Sequence, residues 1–161
     1  MKIIRVYVDT SVVGGCFDAE FEPWSKGLLE DFRLGHFRPV LSEVTAAEIM
    51  RAPDPVRDIY AELLSLGAEV LAVTPEALNL RTNYLERAVL GKRFENDMLH
   101  IALATIAEVD VLVSWNFRHI VRLDKIRLFN AINIELGYKS LTIYSPREVT
   151  IHGRDEGDPG S

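Results

Sequence analysis

VYVDTSVVGG, residues 6 to 15, carries an apolar strand into an aspartate, two hydroxyls and a pair of glycines. Residues 2 to 8 read as a buried strand, because a near-continuous apolar run marks a strand covered on both faces. Working outward, PWSKGLLEDFRLG reads as a helix closed by Gly35, FRPVLS as a short strand, and a helix runs from about Glu43 until Pro53 stops it. DPVRDIYAELLSLG predicts a helix ended by Gly67, and AEVLAV a strand. Thr74 followed by Pro75 is a helix start that runs to about Leu90, and GKRF is a loop. Asn96 caps a helix through DMLHIALATIAE, and DVLVS is the fourth strand. KIRLFNAINIELG is a helix ended by Gly137, and LTIYS a last strand before PREV. Strands separated by helices specify an α/β chain, a three-layer α/β/α sandwich around a mainly parallel central sheet.

Composition sets the outer bounds. With 161 residues, 48% of them hydrophobic, the chain is long enough for one sizeable core and too short for two. Residues 1–150 read as one domain and 151–161 as an acidic disordered tail, since GRDEGDPGS has no apolar residue to bury. No apolar run approaches the roughly 18 residues of a membrane span, and MKIIRVYVDT meets charge too soon for a secretory signal. The expected location is cytoplasmic. The single cysteine, Cys16, cannot form an internal disulfide and reads as a small buried hydrophobe. Eighteen basic against 24 acidic residues give a net charge of −6, which argues against gripping nucleic acid with the whole surface. Residues 114 to 127 have the opposite character, with Arg118, Arg122, Lys125 and Arg127 against Asp124. On charge alone that stretch is a solvated helix face.

The architecture explains why an aspartate stands where a buried strand ends. Ligands bind outside the carboxyl ends of the strands of an open parallel sheet. Asp9 occupies such an end, and Asp97, at the start of a helix leading into a strand, lies at the same edge. Asn116 follows the fourth strand by two residues, and Glu48, in the second turn of the helix after FRPVLS, reaches inward. Singly, Asp9 reads equally well as a turn cap with Ser11, Asp97 as a first-turn acid, and Glu48 as surface. Together on one rim, the carboxylates repel unless a cation lies between them, and an oxygen-only donor set without cysteine suits Mg²⁺ or Mn²⁺. Asp110 is no substitute, since four strand steps put it about 13 Å from that edge.

The motifs VYVDTS, SEVTAAEI with Glu48, NDMLHIALA with Asp97 and DVLVSWNFRHI together resemble the PIN domain. That nuclease fold is used by the VapC-like toxin ribonucleases of bacterial toxin–antitoxin pairs. The resemblance spans residues 2 to 149 and extends to paired asparagines, Asn130 and Asn133, before the final strand. It implies a metal-dependent endoribonuclease with Asp9, Glu48 and Asp97 as metal-binding acids, and RNA, an antitoxin protein and a second copy of the chain as partners. Asn116 stands where many PIN domains carry a fourth acid, and its amide would position water or metal without adding charge.

In that reading Thr10 and Ser11 are the hydroxyl residues after the first acid. Arg118, His119 and Arg122 would contact backbone phosphates, which position a strand without reading its bases. His100, one helical turn from Asp97, reads as a satisfied packing histidine rather than a ligand. Phe117 reads as packed, with Trp115 free to pack or to stack on bases. The competing reading is a non-catalytic PIN-fold protein, its metal site weakened by Asn116, that binds RNA or a protein partner.

Overall fold

The computed structural model describes residues 2–152. The tail reading for 153–161 lies outside the described residues. Five strands, β1 (Ile4–Val8), β2 (Phe37–Ser42), β3 (Glu69–Leu71), β4 (Val111–Val113) and β5 (Ile143–Tyr144), form one sheet in the order β3-β2-β1-β4-β5. Every pairing is parallel, with Val6 opposite both Pro39 of β2 and Val111 of β4. The helices are α1 (Thr10–Gly15), α2 (Glu22–Arg33), α3 (Glu43–Ile49), α4 (Asp54–Ser65), α5 (Pro75–Glu86), α6 (Glu95–Ile106), α7 (Leu123–Glu135) and α8 (Pro146–Val149).

Alternation along β1 builds the three layers, because successive side chains leave a strand on opposite faces. Tyr7, with Val40, Leu112 and Ile143, joins a core with residues of α5, α6 and α7. Val6 and Val8, with Leu41, Val111 and Val113, join a second core with residues of α1, α2 and α4. The chain moves from β1 outward to β3, then crosses to β4 on the other side of β1. The strand order therefore reverses between β1 and β4, the kind of crevice where α/β sheets hold ligands.

The helix stops expected at Gly35, Gly67 and Gly137 are present, and Thr74 caps α5 by accepting the Ala77 N–H. The hydroxyls and glycines after Asp9 form a short helix, α1. Three local readings change. GKRF contains a 3-10 turn, Lys92–Phe94, that runs straight into α6, so Asn96 lies inside that helix and Phe94 at its cap. The helix begun at Pro75 ends at Glu86, before Ala88 takes a positive φ of 56°. Ile151 and His152, assigned to the tail, are fastened to α2: Ile151 N–H donates to Asp31 Oδ2 at 3.2 Å.

Burial explains Cys16, whose thiol is pushed up to about 11 by desolvation. Asp110 accepts the backbone N–H of Arg5 at 2.8 Å, which holds its carboxyl below the usual range and fastens the entry to β4.

Gly15 is needed for a close approach. A Cβ there would lie 2.5 Å from Ser25 Oγ and 2.7 Å from Trp115 Nε1, two atoms already hydrogen-bonded to each other at 2.8 Å. At Gly14 a Cβ meets nothing within 4 Å. Gly15→Ala should therefore cost roughly 1–3 kcal/mol through overpacking, whereas Gly14→Ala should be neutral or stabilising by up to about 1 kcal/mol. Urea unfolding of the two variants measures the contrast, and equal effects would contradict this packing.

Candidate active site

Asp9 ends β1 and stands at the N-cap of α1, yet its carboxylate makes no cap hydrogen bond. Instead Oδ2 accepts Ser11 Oγ at 2.8 Å and Ser114 Oγ at 2.7 Å. The same two hydroxyls accept backbone N–H groups beyond β4, Ser11 from Trp115 at 3.0 Å and Ser114 from Asn116 at 2.9 Å. One carboxylate oxygen thus knits the ends of both central strands together, leaving Oδ1 turned toward His100 Nε2 at 3.4 Å.

His100 is completely buried at the centre of a polar chain. Its Nε2 donates to Glu48 Oε1 at 2.6 Å, and its Nδ1 lies 2.6 Å from Tyr7 Oη, which is 2.7 Å from Ser42 Oγ. Ser42 caps α3, accepting the Thr45 N–H, so the helix that carries Glu48 is fixed by the residue this chain ends on. Thr10 Oγ1 adds a second donor to Glu48 Oε1 at 3.1 Å. Burial alone would drive charge off the imidazole. Tyr7, Glu48 and Asp9 around it outweigh that cost, and its pKa lies well above the ordinary 6.5.

Asp97, in the first turn of α6, completes the rim. Asn116 Nδ2 and His119 Nδ1 approach its Oδ2 at 3.4 and 3.2 Å. Desolvation first, and then the charge of Asp9, raise its pKa above the ordinary 3.8.

No family model matches the sequence, and no curated protein does. Among solved structures the chain is similar to one from VapBC2 of Rickettsia felis, solved bound to a DNA fragment from their promoter, with a TM-score of 0.56. The two are 13% identical, and the match covers 88% of this chain and 98% of the other. This chain has a PIN-domain fold.

The PIN fold brings Asp9, Glu48 and Asp97 to one rim, with Thr10 and Ser11 bonded to two of these acids. Asn116 takes a different posture from the one its position suggested. Its Oδ1 accepts the His119 N–H at 2.9 Å, so the amide turns its NH₂ toward Asp97. His119 packs on Phe94 with ring centroids 3.9 Å apart, Arg118 is exposed, and Arg122 pairs with Asp124 at 2.8 Å. Trp115 is packed, stacked on Phe21 at 4.2 Å, whereas Phe117 is half exposed rather than buried. His100 is satisfied as expected, but at the centre of the site. Its pairing with Glu48 crosses 52 positions and has no local signal in the sequence. The participation of Ser114 and Tyr7 was equally invisible.

Two carboxylates with no thiol nearby are the donor chemistry of a hard cation. Each acid has its Oδ2 held by protein donors; among the described residues Asp97 Oδ1 accepts no hydrogen bond, whereas Asp9 Oδ1 pairs with His100 Nε2 at 3.4 Å. Glu48 faces His100 and stands further out. Among the described residues, the three rim acids do not bring three ligand atoms within 4.8 Å of one another. A carboxyl whose folded pKa is raised penalises the fold above that pKa, and the penalty fades as pH falls toward the ordinary value. In chelator, Asp97→Asn should therefore melt above the wild type near neutral pH, with the gap closing as pH falls toward 3.8. Melting curves of the two proteins between those limits test the sign.

Proposed function

We propose that this protein is a metal-dependent endoribonuclease, the toxin of a toxin–antitoxin pair. The observation that carries the reading is the meeting of two acids, Asp9 and Asp97, near enough that the charge of Asp9 raises the Asp97 pKa, at the switch point of a VapC-like PIN sheet. Mg²⁺ or Mn²⁺ suits such oxygen donors, and bound there would acidify a water and steady negative charge on a phosphodiester. Asp9 and Asp97 would hold the ion. Glu48, kept in place by Thr10 and His100, would take the proton of the attacking water. Ser11 and Ser114 fix the orientation of Asp9, and Asn116 and His119 that of Asp97. Arg118 and Arg122 flank the rim and would meet backbone phosphates, with an antitoxin and a second copy of the chain as protein partners.

A second reading rests on Asn116. With its oxygen engaged by the His119 N–H and its NH₂ turned toward Asp97, it adds no charge and presents a donor rather than an oxygen to the rim, and a PIN-fold protein with so few acids would bind RNA or a partner without cleaving. Cleavage of single-stranded RNA with Mn²⁺ decides between the two. In the nuclease, Asp9→Asn should reduce cleavage at least 100-fold and chelator should abolish it, with the fold retained. Cleavage unchanged by Asp9→Asn would overturn the assignment, and no cleavage by either protein would favour the binding reading.

The same rim predicts a gain. Asn116→Asp would set a charged oxygen beside Asp97 at nearly constant volume, and Mn²⁺ affinity should rise by roughly tenfold. Calorimetric titration of the two proteins measures it, and an unchanged affinity would put position 116 outside the site.

A further inference from the structure

At the opposite edge of the sheet, three side chains that the rim does not use converge on one point. Asp31, near the end of α2, is completely buried. Thr150 Oγ1 donates to its Oδ2 at 2.6 Å, and Ile151 N–H donates to the same oxygen at 3.2 Å. The other oxygen, Oδ1, faces two imidazoles: His36 Nδ1 lies 3.4 Å away, and His152 Nδ1 is in direct contact with it. The two rings lie nearly parallel, 6° apart in plane, with centroids separated by 5.6 Å. Among the described residues, this trio alone brings three ligand atoms of His, Cys, Asp or Glu within 4.8 Å of one another. His36 precedes β2, whereas the rim lies beyond its other end. The two sites are therefore separated by about six strand steps, on the order of 20 Å.

We propose that Asp31, His36 and His152 form a binding site for a borderline divalent transition ion, Zn²⁺ foremost, separate from the rim. Two imidazole nitrogens and one carboxylate oxygen are a donor set that suits zinc and not Mg²⁺, which takes oxygen ligands and keeps its waters. One spacing already agrees: ligand atoms about 2.0–2.1 Å from a tetrahedral ion stand about 3.3 Å apart, close to the 3.4 Å between His36 Nδ1 and Asp31 Oδ1. The His152 ring, now hydrogen-bonded directly to Asp31 Oδ1, must swing outward by roughly 1 Å to admit the ion, exchanging that hydrogen bond for a ligand bond. The outer contacts agree as well, because a ligating carboxylate is ordinarily oriented by hydrogen bonds to its second oxygen, the office performed here by Thr150 and Ile151. Both imidazoles are partly exposed while Asp31 is sealed, so an ion enters from solvent and a water completes its coordination.

The ion would fasten the segment after α8 to α2 and to the start of β2. His152 is 121 positions from Asp31, and a cross-link closing so long a loop restricts the unfolded chain strongly. The site is independent of the nuclease reading, and its test does not involve RNA.

The test is calorimetric titration of Zn²⁺ into chelator-stripped full-length protein bearing Asp9→Asn, which weakens the rim as a competing site, alone and combined with His36→Gln or His152→Gln. Both imidazoles are partly exposed and glutamine keeps a polar donor at each position, so the variants should stay folded, as circular dichroism would verify. One equivalent should bind at micromolar concentration or tighter, each histidine variant should weaken it at least tenfold, and Co²⁺ in the same place should show the strong visible bands of a four-coordinate ion. Zinc at about 100 times its dissociation constant should raise the melting temperature by roughly 5 °C or more, an increment lost in His152→Gln. Absence of binding, or binding indifferent to both histidines, would overturn the proposal. A melting temperature that depends on His152 equally with zinc and with chelator would also overturn it, reducing the cluster to a hydrogen-bonded clasp.

Discussion

The two hydrogen bonds that Ser11 and Ser114 donate to Asp9 Oδ2 tie the carboxyl ends of β1 and β4 together across the point where the strand order reverses. A buried carboxylate without partners would cost several kcal/mol, and hydrogen bonds to a charged acceptor return about 1.5–3 kcal/mol each. The arrangement does more than offset that cost. Because both hydroxyls also accept backbone N–H groups from the turn after β4, the orientation of Asp9 and the course of the chain toward Asn116 and His119 are fixed together. Loss of either hydroxyl would loosen the strand end and the acid at once.

Behind this junction the rim divides into two electrostatic halves. Glu48 is paired internally with His100, whose imidazole is held by Tyr7 and, through it, by the cap of α3. Asp97 has a polar amide and the largely buried His119 beside it and carries the raised pKa that follows from burial near Asp9. The negative charge is therefore compensated most fully on the Glu48 side, where His100 also meets Asp9 Oδ1, and least at Asp97.

The paired asparagines do structural work away from the rim. Asn130 hydrogen-bonds both the N–H and the carbonyl of Leu141, at 2.7 and 3.0 Å, the pattern a neighbouring strand would supply. Asn133 is fully buried, accepts the Tyr84 hydroxyl and donates to Thr105 at 3.2 Å, so α5, α6 and α7 meet at one satisfied polar point inside an apolar core. Such a network fixes the approach to a two-residue strand, β5, that has little ladder of its own. The short last strand depends on side chains where the central ones depend on backbone pairing.

Local chemistry made much of this legible. Apolar runs and turn residues set where the strands and helix stops fall, because backbone preferences and the period of burial act over a few residues, and the strand-end position of Asp9 and the first-turn position of Asp97 follow from them. Element ends were less legible: Ala88 ends α5 by a left-handed turn that no glycine announces, and Asn96 lost the cap to the 3-10 turn before it. The sequence by itself determined the alternation of elements and which acids stand at strand and helix ends. Only the tertiary structure decided that His100 sits between Glu48 and Asp9, that Asn116 turns its oxygen to the His119 backbone, and that His152 crosses the chain to Asp31. Each of these is a choice of side-chain direction between segments 3 to 121 positions apart, and direction is set by what packs behind the residue.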